Sequence, residues 1–165
     1  HEPTETHVAS LLSKLRRDGW RAETLGRVEA NGSAEGIDAV VVDRVGVLAH
    51  LYALGSVSYV GGGFHGDGLH SVLEPAAAAK PIVFGPQHQN ARAAEELVTA
   101  GGAKIAQDAD ALAREVQNWL TDEVECDRTG RLSRGYIDVH LGAADRTAEL
   151  LDGLIAPLSD YGSNA

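Results

Sequence analysis

Apolar and polar residues along the chain change their spacing repeatedly, and this spacing predicts alternating helices and strands. Val8, Leu11, Leu12 and Leu15 follow the i, i+3, i+4, i+7 spacing of one helix face, which closes near Gly19. Short continuous apolar runs are typical of strands that are buried on both faces. Residues 39–42 and 82–84 form such runs, and segments 57–60 and 103–106, each with one polar residue, are also predicted to be strands.

Helical spacing returns between and after these runs, at 48–55, 70–79, 90–100, 110–120, 130–141 and 143–155. Segment 21–38 is ambiguous apart from a turn at 30–33, and the acidic run 122–125 is expected to be a solvated loop. Strands and helices alternate at intervals of about 20 residues, which is typical of βαβ units. We therefore predict an α/β fold in which helices flank a parallel sheet.

Composition limits the classes of protein to consider. The 165 residues suit one ordinary domain. With 14 Lys and Arg against 24 Asp and Glu, the net charge is −10, which argues against a non-specific nucleic-acid binder or a basic membrane-surface helix. A small anionic ligand is still compatible with that charge, because a local pocket can be positive on an acidic protein.

The single cysteine and the start of the sequence indicate the redox compartment and a longer parent chain. Cys126 alone excludes an internal disulfide framework and a zinc site made of several cysteines, and it favours a reducing compartment. No apolar run approaches the roughly 20 residues that span a bilayer, and no signal peptide is visible. Because the sequence begins at His1 and contains no methionine, we expect it to be part of a longer chain.

Three polar, glycine-containing loops follow predicted strands, at 43–46, 61–71 and 85–90. In open α/β sheets, ligands bind in the crevice outside the carboxyl ends of the strands. If these strands share one sheet, all three loops lie along the same edge. The sequence therefore predicts a ligand site there.

The loop at 61–71 allows several interpretations. Gly61, Gly63 and Gly66 fit the G-x-G-x-x-G pattern of dinucleotide-binding sites. Such a site needs an acidic residue about 20 positions later, at the end of the next strand, but residues 84–86 there are Phe-Gly-Pro. A glycine-rich turn without any ligand stays open. The N-terminus of the helix predicted after this loop would attract a phosphate. Glu74 in its first turn could accept hydrogen bonds from ribose hydroxyls, or simply compensate the helix dipole.

Two other kinds of site fit the sequence poorly. His65, His70 and His88 lie on neighbouring loops and could meet at a metal ion, but their spacing matches no standard zinc pattern and no cysteine cluster supports it. A serine hydrolase would need a G-x-S-x-G elbow, which the sequence lacks. Neither kind of site is expected.

Three segments in this order resemble one family. They are VVVDRVGVLAHLY at 40–52, YVGGGFHGDGLHSVLEPAA at 59–77 and PIVFGPQHQN at 81–90. Their motifs and spacing are similar to the carboxyl-terminal half of bacterial Kdo (3-deoxy-D-manno-octulosonic acid) transferases, lipid A glycosyltransferases that use CMP-Kdo. The match of all three together is far more specific than any single motif.

The resemblance implies a GT-B architecture, in which two Rossmann-like domains face each other across a cleft and the carboxyl-terminal one holds the nucleotide-sugar donor. Residues 1–155 would be that donor-binding domain, without the family's first βα unit and amino-terminal domain, and 156–165 would be a tail. The resemblance also implies a set of donor-binding residues: His1, Gly46, Gly61, Gly62, Gly63, His70, Ser71, Glu74, Gly85, Pro86 and Asn90.

The implied function is binding of CMP-Kdo, from which the whole protein would transfer Kdo to a lipid A precursor in lipopolysaccharide biosynthesis. The acceptor site and the general base would lie in the amino-terminal domain, so no catalytic residue is expected here and the chain alone should be inactive. No cofactor, metal or nucleic-acid partner is expected. The whole protein would be cytoplasmic, at the cytoplasmic face of the inner membrane. A UDP-sugar transferase or epimerase of GT-B type and a non-catalytic ligand- or protein-binding module stay open as alternatives.

Overall fold

The computed structural model describes residues 2–142 and 147–152. The chain divides into two compact units, His1–Leu54 and Gly55–Ala165. In the described parts, all strands pair in parallel and helices connect them. The predicted α/β class with parallel strands flanked by helices is therefore confirmed.

The first unit contains a two-stranded sheet. Its elements are α1 (Glu5–Arg17), β1 (Ala22–Thr24), α2 (Leu25–Asn31), β2 (Ala39–Val41) and α3 (Leu48–Leu54). Helix α1 begins where the Thr4 hydroxyl accepts a hydrogen bond from the N–H of His7, at 3.3 Å. The segment that the spacing left ambiguous holds β1 and α2. Helix α2 ends before Gly32, whose φ of +67° lies in the left-handed region that glycine adopts more readily than other residues.

The second unit contains a three-stranded sheet with the order β3-β4-β5. Its elements are β3 (Ser58–Val60), α4 (Leu73–Ala77), β4 (Ile82–Phe84), α5 (Arg92–Thr99), β5 (Ala103–Ile105), α6 (Ala109–Thr121) and α7 (Glu123–His140). Each parallel pair is joined by a crossover that contains a helix, as parallel pairing requires. Residues 147–152 are also helical.

Strand β4 is the centre of the second unit's core. Ile82 and Phe84 contact one cluster of buried side chains and Val83 contacts another, and all three are fully buried. Ala94 and Leu97 of α5 pack on the first face, and Trp119 of α6 packs on the second. The apolar run 82–84 therefore forms a strand covered on both faces, as its composition predicted.

Three local predictions differ from the structure. The predicted helix 70–79 is shorter, since α4 covers only Leu73–Ala77. The acidic run 122–125 is not a loop. The Asp122 carboxylate accepts a hydrogen bond from the N–H of Glu125 at 3.0 Å and so caps α7, whose first turn is a favourable place for acids. Helix α7 consequently begins well before the predicted start at residue 130. The last predicted helix, 143–155, lies partly outside the described residues.

The strands also form two sheets where the spacing predicted one. Strand β2 pairs with β1, whereas β3 pairs only with β4 among the described strands. Strand β1 lacks the apolar run that predicts a strand, so the later strands were the only predicted partners of β2. As a result, the loops at 61–71 and 85–90 follow neighbouring strands of one sheet, and the loop at 43–46 follows a strand of the other.

Candidate functional site

The loops that follow β3 and β4 are in close backbone contact. A Cβ atom placed on Gly63 would lie 2.6 Å from the backbone nitrogen of Gly85, and one placed on Gly85 would overlap the carbonyl oxygen of Gly63. The Gly63 carbonyl also accepts a hydrogen bond from the N–H of Gln87 at 2.9 Å. This contact requires glycine at both positions, because any side chain would clash with the opposite backbone. The two loops therefore meet at the carboxyl edge of the sheet.

The first of these loops folds back on itself. Gly62 has a φ of +94°, and a Cβ at this position would overlap the carbonyl oxygen of Gly68. The N–H of His70 donates to the carbonyl of Gly61 at 3.1 Å, which closes the loop at its base. The segment 61–70 is thus a compact turn whose two ends lie side by side.

Three of the predicted donor-binding residues lie together at the end of this turn. His70, Ser71 and Glu74 are all exposed. The N–H of Leu73 donates to the Ser71 hydroxyl at 3.4 Å, so Ser71 contacts the start of α4. Within residues 2–142 and 147–152, the Glu74 carboxylate has no hydrogen-bond or ion-pair partner, which leaves it available to a ligand.

A largely apolar cavity of about 510 Å³ lies directly beside Glu74. Helices α4, α5 and α7 line it with Leu73, Glu74, Ala77, Ala93, Tyr136, Ile137, His140 and Leu141. Its volume is within the range of small-molecule sites, which are mostly apolar and carry a few polar groups. The sequence did not predict this cavity, because its α7 residues lie far along the chain from the motifs at 40–90, on a helix that was predicted to begin at residue 130 rather than at Glu123.

A polar network borders the cavity on the side of α5 and α7. The Tyr136 hydroxyl donates to the Glu96 carboxylate at 2.7 Å, and Arg92 Nε donates to the same side chain at 2.7 Å. These two hydrogen bonds lower the pKa of Glu96, so it is held ionised. Burial and the bond to Glu96 raise the pKa of Tyr136. Glu96 is therefore already partnered, in contrast to Glu74.

The remaining predicted residues of this unit complete the two loops. Gly85 and Pro86 follow β4 directly, and Gly85 is buried against Gly63. The Asn90 side chain reaches across and bonds the backbone of Leu69. The structure thus brings Gly61, Gly62, Gly63, His70, Ser71, Glu74, Gly85, Pro86 and Asn90 to one edge of one sheet. Their role in donor binding stays a prediction.

The segment 43–46 lies in the first unit and has structural contacts of its own. The Asp43 carboxylate accepts a hydrogen bond from the N–H of Gly26, in the first turn of α2, at 3.3 Å. Arg44 makes a two-pronged ion pair with Glu29 of the same helix, which lowers the pKa of that carboxyl. Gly46 is exposed with a φ of +83°. His1, the last predicted donor-binding residue, lies outside the described residues.

The histidines and acidic residues of the described part of the chain do not form a metal site. No group of three His, Cys, Asp or Glu side chains there is close enough to hold a metal ion. His88 instead packs against Phe84, with ring centroids 5.4 Å apart, while His65 and His70 are exposed. Asp108, two residues before Asp110, caps α6 by accepting a hydrogen bond from the N–H of Ala111 at 2.7 Å.

A second cavity, of about 330 Å³, lies at the opposite edge of the same sheet. Ser56 and Pro81, which precede β3 and β4, line it together with Lys80, Trp119 and Cys126. Burial raises the pKa of the Cys126 thiol, so the thiol is held in its protonated, unreactive form. This cavity is not continuous with the loops described above. None of the described helices is long and apolar enough to cross a membrane.

Comparison with known proteins identifies the relatives of this chain. No protein-family model matches it. It is 30% identical over 102 residues to the 3-deoxy-D-manno-octulosonic acid transferase of Aquifex aeolicus, covering 61% of this chain and 27% of the relative. It is 30% identical over 117 residues to the same enzyme of Bordetella pertussis, covering 70% of this chain and 27% of the relative. This chain is related to the Kdo transferases. It spans about a quarter of the length of these curated relatives.

A solved structure supports the same relationship at the level of the fold. The C-terminal CMP-Kdo binding domain of WaaA from Acinetobacter baumannii matches with a TM-score of 0.71 and 21% sequence identity, covering 82% of this chain and 69% of that one. The predicted Rossmann-like fold, as found in the carboxyl-terminal half of GT-B glycosyltransferases, is therefore confirmed. The relatives favour a Kdo transferase over a UDP-sugar enzyme or a binding module.

Proposed function

We propose that this chain is the donor-binding part of a Kdo transferase and binds CMP-Kdo. The whole protein would transfer Kdo to a lipid A precursor in lipopolysaccharide biosynthesis, at the cytoplasmic face of the inner membrane. The observation that carries the proposal is the position of Glu74 at the end of the glycine-rich turn, beside a cavity of about 510 Å³ and with no hydrogen-bond or ion-pair partner among the described residues. The names of the relatives support the choice of CMP-Kdo as the donor.

The geometry gives each part of the site a task. The contact between Gly63 and Gly85 holds the two loops together at the sheet edge. Beside it, Gly61 is partly exposed and has no side chain, so the phosphate of the donor could come near its backbone. The exposed imidazole of His70 can donate a hydrogen bond to that phosphate. The Glu74 carboxylate can accept hydrogen bonds from both ribose hydroxyls, which are charge-assisted and therefore strong.

Binding and transfer are separate in this proposal. Displacement of CMP from Kdo needs a base that deprotonates the acceptor hydroxyl. That base and the acceptor surface would lie in an amino-terminal domain, so this chain should bind nucleotide without transferring sugar. Because the phosphate is met by backbone and imidazole groups, we expect the same affinity for CMP with and without EDTA.

The experiment is a calorimetric titration of the 165-residue chain with CMP, using Glu74→Ala and the matched control Glu95→Ala. Both glutamates are exposed on helices of the second unit, but Glu95 does not line the cavity. Loss of hydrogen bonds to a charged group costs about 1.5–3 kcal/mol. Glu74→Ala should therefore weaken CMP binding by about 10- to 150-fold, and Glu95→Ala should not change it.

Two results would contradict the proposal. Equal affinities of the Glu74→Ala variant and the parent would show that this carboxylate does not hold the ribose. Turnover of CMP-Kdo by this chain alone, in a preparation free of full-length enzyme, would show that the catalytic groups are present here.

A further inference from the structure

The Asn90 side chain forms a two-point contact with the loop that follows β3. Its Oδ1 accepts a hydrogen bond from the N–H of Leu69 at 3.0 Å, and its Nδ2 donates to the carbonyl oxygen of the same residue at 3.0 Å. The amide of Asn90 thus pairs with the backbone of Leu69 as a neighbouring strand would. Two loops that are 21 positions apart in sequence are joined by one side chain.

The residue before Leu69 is shaped to admit this amide. A Cβ on Gly68 would lie 2.8 Å from both Cγ and Nδ2 of Asn90, which is closer than real Cβ contacts. Gly68 also has a φ of +88°, which residues other than glycine rarely adopt. Glycine at 68 and asparagine at 90 therefore form a matched pair. On the other side, the Leu69 side chain is only 6% exposed and is anchored in the core.

The contact fixes the backbone directly before two exposed residues of the site. His70 and Ser71 follow Leu69, and the N–H of His70 donates to the carbonyl of Gly61 at 3.1 Å. The segment 69–71 is consequently held from one side by the start of its own loop and from the other by Asn90. Without the Asn90 amide, only one of these two restraints would remain.

We infer that Asn90 is a positioning residue, which holds the segment 69–71 in the conformation that presents His70 and Ser71 to the donor. This inference rests on the proposed function. It replaces the direct donor contact that the resemblance implied for Asn90 with a contact to the protein backbone. A loop that is already ordered binds more tightly, because no conformational entropy of the loop is lost on binding.

The test compares Asn90→Leu, Asn90→Asp and the control Gln89→Ala. Leucine has nearly the same shape but cannot form either bond, whereas aspartate keeps the acceptor for the Leu69 N–H. Gln89 is the neighbouring exposed amide, and it bonds only the carbonyl of Pro86 among the described residues. Amide hydrogen exchange at Leu69 is measured without ligand, CMP affinity is measured by calorimetry, and thermal unfolding checks that each variant is folded.

We expect Asn90→Leu to accelerate exchange at Leu69 and to weaken CMP binding by about tenfold, which corresponds to ordering the backbone of roughly one residue. Asn90→Asp keeps the acceptor for the Leu69 N–H but turns a carboxylate oxygen towards the Leu69 carbonyl, so its exchange rate should lie between those of the parent and Asn90→Leu. Gln89→Ala should behave as the parent. Weaker CMP binding with unchanged exchange in Asn90→Leu would overturn the inference in favour of direct donor contact. Unchanged affinity despite faster exchange would overturn it as well. If the parent itself fails to bind CMP, the proposed function fails, whereas exchange at Leu69 still reports on the Asn90 contact itself.

Discussion

The contact between Gly63 and Gly85 makes a sharp prediction about which glycines of the loop at 61–68 are needed. Alanine at position 63 would place its Cβ 2.6 Å from the Gly85 nitrogen and 2.9 Å from its Cα. Ordinary contacts of this kind begin near 3.4 Å, so the loops must separate by just under an ångström. The opposing atoms belong to the backbone and cannot rotate away.

The cost of this separation follows from the packing around it. Forcing an extra methyl group into a close-packed site typically costs about 1–3 kcal/mol. Here the shift also strains the hydrogen bond from Gln87 N–H to the Gly63 carbonyl, at 2.9 Å. We therefore expect Gly63→Ala to lower the free energy of unfolding by about 1–3 kcal/mol.

Gly66 in the same loop provides the matched control. A Cβ at this position meets nothing within 4 Å, and its φ is not in the positive range. Gly66→Ala should be neutral, or stabilising by up to about 1 kcal/mol, because alanine restricts the unfolded chain. Urea unfolding of both variants, with equal m values, is the assay. Equal destabilisation by the two substitutions, or no effect of Gly63→Ala, would contradict a close contact of Gly63 with Gly85.

Two further predictions concern parts outside the site. The fully buried Ser133 hydroxyl donates to the carbonyl of Gly102 at 2.6 Å, and that carbonyl also accepts from the N–H of Ile82 at 3.3 Å. Ser133→Ala should therefore lower the free energy of unfolding by about 0.5–1.5 kcal/mol, the net worth of one hydrogen bond. The exposed Ser13→Ala inside α1 should be neutral or slightly stabilising, and equal urea midpoints for the two variants would contradict this. Hydrogen bonds from Arg21 lower the pKa of Asp38 from 3.8 to about 2. This pair stabilises the folded state above the unfolded pKa and loses that effect as the pH falls towards about 2. In Arg21→Ala, NMR titration should show the pKa of Asp38 raised towards 3.8, and an unchanged pKa would contradict the assignment.

The elements that the sequence predicted best are those with a strong and local apolar signal. The run 82–84 indicated a strand buried on both faces, and β4 is that strand. The segment 90–100 was predicted to be a helix, and α5 lies within it, with Ala94 and Leu97 fully buried. A continuous apolar run predicts a strand that is buried on both faces, and helical spacing predicts a helix with one buried face, so no long-range information was needed.

The features that the sequence did not predict depend on contacts between distant residues. Strand β1, with the sequence Ala-Glu-Thr, has no apolar run, and it is held by β2 and by Arg21, which bonds Asp38 seventeen positions away. The contact of Asn90 with Leu69 and the cavity beside Glu74 likewise join loops and helices that are far apart in sequence. The start of α7 was missed for a different reason, because acids that cap a helix look the same in sequence as acids in a solvated loop.

The most direct test of the central claim is an NMR titration of this chain with CMP, in parallel with UMP and AMP. We expect selective binding of CMP, with the largest shifts at the glycines of the 61–68 loop and around Glu74. Preference for UMP would contradict the CMP-Kdo assignment and favour a UDP-sugar enzyme. Shifts confined to residues remote from that loop would contradict the site itself.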